Sequence, residues 1–157
     1  MLTPVPRQKS RLSRGSFAIV ASRYNARFVD AMLAAAEKVL AEAGVKKTRV
    51  VRVPGAFEIP AVTARLARTR PACSAIICLG VIIRGQTDHA QQIANAVSLS
   101  LAQLQIECAL PIIHEVLLLE NQAQAVARCL GKKYNRGAEA AQTALEMAFV
   151  MEDLKRL

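Results

Sequence analysis

The sequence has few of the residues on which several protein classes depend. Its 157 residues include no tryptophan, two histidines and four cysteines, and aromatic residues make up 4%. The cysteines are Cys73, Cys78, Cys108 and Cys129. They show no C-x-x-C pairing and no histidine at ligand spacing, so the sequence predicts buried, reduced thiols and neither a zinc site nor disulfides.

Long apolar runs are also missing. No run approaches the roughly 18–20 residues that span a bilayer, and the first residues contain no apolar segment typical of a secretory signal. With the reduced thiols, this predicts a cytoplasmic protein without a membrane partner. The chain is nevertheless 53% hydrophobic, slightly above the usual range for globular proteins. This surplus suggests apolar surface buried against other subunits.

Acidic residues are fewer than basic ones, and the net charge is +9. Four cations lie in residues 1–14, which contain no acid: Arg7, Lys9, Arg11 and Arg14. A basic arm without interleaved aromatic residues is more typical of a solvated tail than of a nucleic-acid groove. We therefore expect no nucleic-acid partner. We expect a single domain over residues 15–157 and an arm that is either disordered or docked on a neighbouring subunit.

The chain does contain a regular alternation of strand and helix patterns. Short apolar runs predict four strands, at 16–22, 48–53, 74–83 and 110–119. Helical patterns follow them at 27–43, from about Pro60, from Thr87 or Asp88 to about Leu104, from Asn121 to about Leu130, and from about Ala138 to Leu154. This order predicts a three-layer α/β/α sandwich with a central four-stranded parallel sheet.

Three loops of unusual composition follow predicted strands. They are RYN (23–25), PGAFE (54–58) and RGQTDH (84–89). The carboxyl ends of parallel strands meet at one edge of the sheet, where ligands of open α/β sheets bind. The loops therefore define a candidate site.

The loop RGQTDH has two interpretations. Gly85 permits close backbone approach, and Thr87 adds a hydroxyl before a helix whose free N–H groups attract anions. The loop lacks the lysine and spacing of a P-loop, so simple capping of the helix by Thr87 or Asp88 is an equal alternative. His89 is either a proton-transfer group or an ordinary helix histidine, and the residues alone favour the second.

The aromatic residues of the other two loops also have two interpretations, of which the residues alone slightly favour the second. Tyr24 and Phe57 are either platforms for a flat heterocycle or fillers of the core. Glu58 either accepts hydrogen bonds from such a ring or complements the dipole of the helix that follows.

Several segments together resemble the signatures of the lumazine synthase family. They are SRYNARFVD, VVRVPGAFEIP, LGVIIRGQTDHAQQIANAV, CALPII and ARCLGKKYNRGAEAAQTALEMA, which span roughly residues 16–150. The combination of G-A-F-E-I-P with I-R-G-x-T-x-H is specific. The resemblance implies a flavodoxin-like subunit and a transferase of riboflavin biosynthesis without cofactor or metal. Its reaction joins 5-amino-6-(D-ribitylamino)uracil to 3,4-dihydroxy-2-butanone 4-phosphate, giving 6,7-dimethyl-8-ribityllumazine, phosphate and water.

The resemblance also implies roles for individual residues by matching position. His89 would transfer protons. The phosphate would be bound by Gln86, Thr87 and Arg128. The pyrimidine and its ribityl chain would be bound by Tyr24, Ala56, Phe57, Glu58, Val81, Ile82, Ile83, His114 and Arg136.

The chain departs from the family pattern at several positions. His114 stands where a phenylalanine usually covers the substrate, and Arg136 stands where a lysine is frequent. Other departures are Ala90, Gln91, Ala96, Glu115 and Leu118. The departures at His114 and Ala90 keep open the alternative of a flavin- or lumazine-binding protein without turnover. A second alternative is a shell-forming scaffold that holds anionic cargo with its basic arm. The resemblance further implies a homo-oligomer with each site between adjacent subunits, either a pentamer or a 60-subunit icosahedral shell, and riboflavin synthase as a partner.

Overall fold

A computed structural model of the chain describes residues 15–157, so the predicted basic arm lies outside the described residues. The strands are β1 (Phe17–Ser22), β2 (Thr48–Val53), β3 (Ala75–Ile83) and β4 (Ile112–Leu119). The helices are α1 (Ala26–Glu42), α2 (Ile59–Ala67), α3 (His89–Cys108), α4 (Gln122–Cys129) and α5 (Arg136–Leu154). A one-turn 3₁₀ helix (Ala56–Glu58) precedes α2. The predicted order of elements is confirmed.

The four strands form one parallel sheet in the order β2-β1-β3-β4. Helices α1, α4 and α5 bury their apolar sides against one face, and α2 and α3 against the other. All six residues of β1 and the first seven of β3 are buried, as the central strands of a covered parallel sheet require. The predicted three-layer sandwich of the flavodoxin-like type is confirmed.

Two helix ends lie where local residues in the sequence predicted them. Gly44 follows α1 with a φ of 85°, and the amide of Val45 donates to the carbonyl of Leu40 at 3.0 Å, which is the expected glycine C-cap. Asn121 caps α4 by accepting from the amide of Gln124 at 3.0 Å.

Two predicted helix bounds were wrong. Helix α5 begins at Arg136 and not at Ala138, because the side chain of Asn135 accepts the amide of Gly137 at 2.9 Å and starts the helix earlier. Helix α3 ends at Cys108 and not near Leu104. The residue that ends it in the left-handed conformation is Ala109, and an alanine gives no sequence signal for a helix end.

The cysteines differ in their surroundings. All four are free thiols; Cys78 and Cys129 are buried as predicted, whereas Cys73 and Cys108 are partly exposed, so that part of the prediction was wrong. Burial raises the pKa of Cys78 to about 12 and that of Cys129 to about 11, so both stay protonated at neutral pH.

Between residues 15 and 157 there is no group of three or more potential metal ligands. No helix in that range is long and apolar enough to cross a membrane.

Gly137 lies where α5 meets α1, and a Cβ at this position would overlap the backbone carbonyl of Met32. We expect Gly137→Ala to lower the free energy of unfolding by about 1–3 kcal/mol, because backbone atoms cannot move aside as a side chain can. Urea denaturation measures the change.

Gly85→Ala is the matched control, since among the described residues no atom other than those of residues 84–86 lies within 4 Å of its Cβ position. Its unfolding free energy is expected to stay within about 0.5 kcal/mol of wild type. Equal stability of Gly137→Ala and Gly85→Ala would contradict the close packing of the two helices.

Candidate functional site

A pocket of about 620 Å³ opens at the carboxyl edge of the sheet. Its wall is built from the residues after β1, the 3₁₀ helix, the end of β3 and the first turns of α3. Eight of the residues singled out in the sequence line it: Tyr24, Ala56, Phe57, Glu58, Val81, Ile82, Ile83 and His89. The parallel arrangement of the strands therefore brings the three loops together as expected, in a volume typical of small-molecule sites.

The two aromatic rings of the pocket are exposed. Tyr24 is 69% exposed and Phe57 is 61% exposed, so the alternative that they fill the core was wrong. The backbone of Tyr24 is tied to the second loop, because its amide donates to the carbonyl of Pro54 at 3.0 Å. A Cβ on Gly55 would lie 2.9 Å from Cδ2 of Tyr24, so the ring occupies the space that the missing side chain leaves.

Glu58 has a local partner and also faces the pocket. Its Oε2 accepts the amide of Gly55 at 2.8 Å, which closes the turn before α2. A carboxylate offers more acceptor sites than this one bond uses. Glu58 can therefore stabilise the turn and still accept a hydrogen bond from a ligand in the pocket.

The loop between β3 and α3 leaves the start of the helix open. Asp88 occupies the N-cap position, but its side chain caps none of the described backbone amides, so capping by Asp88 was wrong. Gln86, Thr87 and His89 are exposed. Gly85 is not in the left-handed region, so its turn does not require glycine. The open space beside it is compatible with an anion approaching the backbone.

Five further residues line the pocket without having been assigned a site role from the sequence: Asn25, Gly55, Gln92, Ile93 and Ala96. The last three follow His89 at helical spacings of three, four and seven, so the face of α3 that carries His89 was readable from the sequence. Asn25 and Gly55 lie in two of the loops that the sequence singled out. Asn25 adopts a left-handed φ of 56°, and its Nδ2 donates to the carbonyl of Val81 at 2.8 Å, which joins the ends of β1 and β3.

The other predicted site residues do not line the pocket. Gln86 and Thr87 lie in the loop just before α3. Arg128 is exposed on α4 and Arg136 begins α5, both helices on the opposite face of the sheet from α3. His114 pairs in register with Cys78, well before the carboxyl end of β3, and its Nε2 lies 2.8 Å from Oγ of Ser98.

Arg136 instead forms two ion pairs within its own chain. Its Nε lies 2.7 Å from Oε1 of Glu115, whose side chain is 6% exposed, and its Nη1 lies 2.6 Å from Oε2 of Glu139. Burial raises the pKa of Glu115, and the neighbouring Arg136 guanidinium opposes this only in part.

Fold and pocket together define the class: an α/β protein with a pocket of small-molecule size at the carboxyl edge of its sheet, where ligands of such folds bind. The family model described as 6,7-dimethyl-8-ribityllumazine synthase matches residues 14–152. The chain therefore belongs to this family of transferases, and the resemblance seen in the sequence is confirmed.

Curated relatives agree with the family model. The 6,7-dimethyl-8-ribityllumazine synthase of Stenotrophomonas maltophilia (strain R551-3) is 41% identical over 140 residues, which cover 88% of this chain and 90% of the relative. The protein of the same name from Mycobacterium avium (strain 104) is 40% identical over 139 residues, which cover 87% of this chain and 85% of the relative. The protein of the same name from Xanthomonas euvesicatoria pv. vesicatoria (strain 85-10) is 40% identical over 144 residues, which cover 90% of this chain and 93% of the relative.

Proposed function

We propose that this protein condenses 5-amino-6-(D-ribitylamino)uracil with 3,4-dihydroxy-2-butanone 4-phosphate to 6,7-dimethyl-8-ribityllumazine, releasing inorganic phosphate and two waters. The proposal is carried by one observation. The pocket brings together two exposed aromatic rings, a carboxylate and an imidazole at the carboxyl edge of the sheet, in a chain that belongs to this family.

The reaction needs proton transfer at each step. An amine of the pyrimidine forms an imine with the ketone, phosphate is eliminated, and the second amine closes the ring with loss of water. His89 is the imidazole in the pocket wall and is exposed to a bound substrate. A neutral imidazole can accept a proton at one step and return it at another, so His89 serves as the proton-transfer residue.

The pyrimidine end of the pocket is shaped for a flat, polar-edged ring. The rings of Tyr24 and Phe57 provide surfaces for stacking. Glu58 keeps acceptor capacity for a ring N–H beyond its bond to Gly55. The apolar end of β3, including Val81 and Ile83, supplies the wall behind them.

The phosphate end is assigned to the start of α3. Gln86 and Thr87 precede a helix N-terminus, where free amides and the helix dipole favour an anion. The guanidinium of Arg128 matches phosphate geometry, but in one chain Arg128 lies outside the pocket. We propose that a second subunit of a homo-oligomer supplies Arg128, Arg136 and His114.

An exposed apolar face supports this oligomer. On α3, Leu99 is 71% exposed and Ile106 is 80% exposed. These side chains lie seven residues apart on the helix that carries Ser98, the partner of His114. Exposed apolar surface of this kind is typical of subunit interfaces.

The deciding experiment mixes both substrates with the protein and follows lumazine absorbance and released phosphate. We expect the two products to form in equal amounts. A yellow protein that forms no lumazine would instead indicate a flavin- or lumazine-binding protein without turnover. Salt-dependent retention of nucleic acid that is lost when residues 1–14 are deleted would indicate a scaffold.

Arg128→Ala tests the phosphate assignment. Loss of a charged hydrogen-bond donor is expected to raise KM for the phosphate substrate about 10-fold or more, while KM for the pyrimidine stays near that of wild type. Steady-state kinetics with each substrate varied in turn measure the two constants.

The control is Arg65→Ala, which removes another exposed arginine from the last turn of a helix. We expect both of its KM values to match wild type. If Arg128→Ala raised both KM values equally, the phosphate assignment would be wrong.

A further inference from the structure

The start of α3 carries His89 but is not held by a side-chain cap. Asp88 makes no capping bond to the described amides, and residues 85–89 are all exposed. A helix end of this kind frays unless another contact holds it. A proton-transfer group at such an end needs that contact, because small displacements slow catalysis.

Arg84 provides contacts of this kind. Its Nη2 donates to Oε1 of Gln91 in the first turn of α3 at 2.8 Å, and its Nε donates to Oε1 of Glu120 at 3.0 Å. Its amide also donates to the carbonyl of Leu119 at 2.8 Å. One side chain thus joins the start of α3 to the end of β4.

Both partners of Arg84 are held in turn. The amide of Glu120 donates to Oε1 of Gln124 at 3.0 Å, which fixes this end of β4 to the first turn of α4. Nε2 of Gln91 donates to Oδ1 of Asn95 at 2.7 Å, one turn further along α3. The chain of contacts therefore runs from α4 to the second turn of α3.

We infer that Arg84 is a positioning residue, which holds the first turn of α3 and thereby His89 in place for the reaction. The inference rests on the proposed function, because it gives His89 its role. Arg84 itself does not line the pocket. It acts through Gln91, two residues from His89.

The contribution of Arg84 is local. Its side chain is 32% exposed and that of Glu120 is 57% exposed, and ion pairs this exposed contribute little to global stability. The hydrogen bonds and the ion pair of Arg84 within the described residues involve Gln91, Leu119 and Glu120, and none involves Tyr24, Phe57 or Glu58. Loss of Arg84 should therefore affect turnover and the order of the start of α3 without affecting pyrimidine binding.

The test compares Arg84→Met with wild type in two measurements. We expect kcat to fall about 10-fold or more, with KM for the pyrimidine unchanged. We also expect faster amide hydrogen exchange at residues 85–92, with exchange in β1 and α1 unchanged. Gln91→Glu keeps the acceptor for Arg84 but loses the donor to Asn95, so we expect it to retain more of the wild-type kcat than Gln91→Ala. Gln91→Ala should lose part of this kcat and add nothing further in the double variant with Arg84→Met.

Arg68→Met is the matched control. Arg68 pairs with Glu107 at 3.5 Å, at the other end of the same helix. The Arg68→Met variant should leave both kcat and amide hydrogen exchange at residues 85–92 unchanged.

An unchanged kcat in Arg84→Met, unchanged exchange at residues 85–92, or exchange raised equally throughout the chain would each overturn the inference. If wild type forms no lumazine, the proposed function fails, and the exchange measurement alone decides whether Arg84 holds the start of α3.

Discussion

The His89→Ala variant is expected to lose about 10²–10⁴-fold in kcat, the range typical for removal of a general acid–base group. Its affinity for the pyrimidine is expected to stay near that of wild type. The separation follows from the architecture of the pocket. His89 is on the first turn of α3, whereas the residues assigned to the ring lie after β1, on the 3₁₀ helix and at the end of β3.

The measurement combines steady-state lumazine formation with equilibrium binding of the pyrimidine alone. Gln92→Ala is the control, because Gln92 lines the same pocket on the same helix face but has no titratable group. We expect it to retain most of the turnover. A His89→Ala variant with the turnover of wild type would exclude His89 from the mechanism. A variant that no longer bound the pyrimidine would reassign His89 to substrate binding.

The Arg136→Met variant is expected to lose about 3–5 kcal/mol of unfolding free energy at neutral pH. The substitution leaves the carboxylate of Glu115, which is 6% exposed, without the guanidinium that lies 2.7 Å away in wild type. A buried carboxylate without a partner carries most of its desolvation cost uncompensated.

The loss should depend on pH. Burial already raises the pKa of Glu115, and the Arg136 guanidinium is the main group that lowers it, so the pKa rises further in the variant. A carboxyl group whose pKa is higher in the folded state favours folding while it is protonated, and this stabilisation is lost as pH rises through the folded-state pKa. The difference from wild type should therefore be small below about pH 4, the ordinary range for a glutamate, and should grow as pH rises.

Urea denaturation of wild type and Arg136→Met at several pH values measures this difference. Glu139→Gln is the control for the exposed half of the network and should cost less than about 1 kcal/mol. Replacing both partners of the pair, as in Glu115→Leu with Arg136→Met, should restore much of the stability, because no unpaired buried charge remains. If Arg136→Met lost the same unfolding free energy at all pH values, the unpaired charge of Glu115 would not be the cause of the loss.

The sequence predicted the strands and the location of the pocket because both depend on local patterns. Apolar runs marked β1 to β4 within two residues, and polar residues after three of the strands marked the edge where they meet. Two helix bounds were predicted wrongly, because the end of α3 depends on the left-handed backbone of Ala109 and the start of α5 on one side-chain bond. That bond runs from the amide of Gly137 to Asn135, and other residues at a helix start could also have accepted it.

The assignments that remain predictions depend on distances between elements. The roles of His114, Arg128 and Arg136 were assigned by position in the family pattern, and the spacing of these residues does not show whether they reach the pocket of their own chain. Register decides this for His114, because its pairing with Cys78 sets it below the carboxyl edge. The pairing of Arg136 with Glu115 was equally unreadable, since the two residues lie far apart along the chain and meet only through the packing of α5 on β4.

The ring of Tyr24 and the bare backbone at Gly55 restrict how this pocket can be altered. A Cβ at residue 55 would lie 2.9 Å from both Cδ2 of Tyr24 and Oε2 of Glu58. A side chain introduced at residue 55 must therefore displace both groups or be accompanied by smaller ones at residues 24 and 58. Efforts to re-engineer the pocket for other heterocycles should vary these three positions together, and single-site libraries at residue 55 are expected to yield few functional variants.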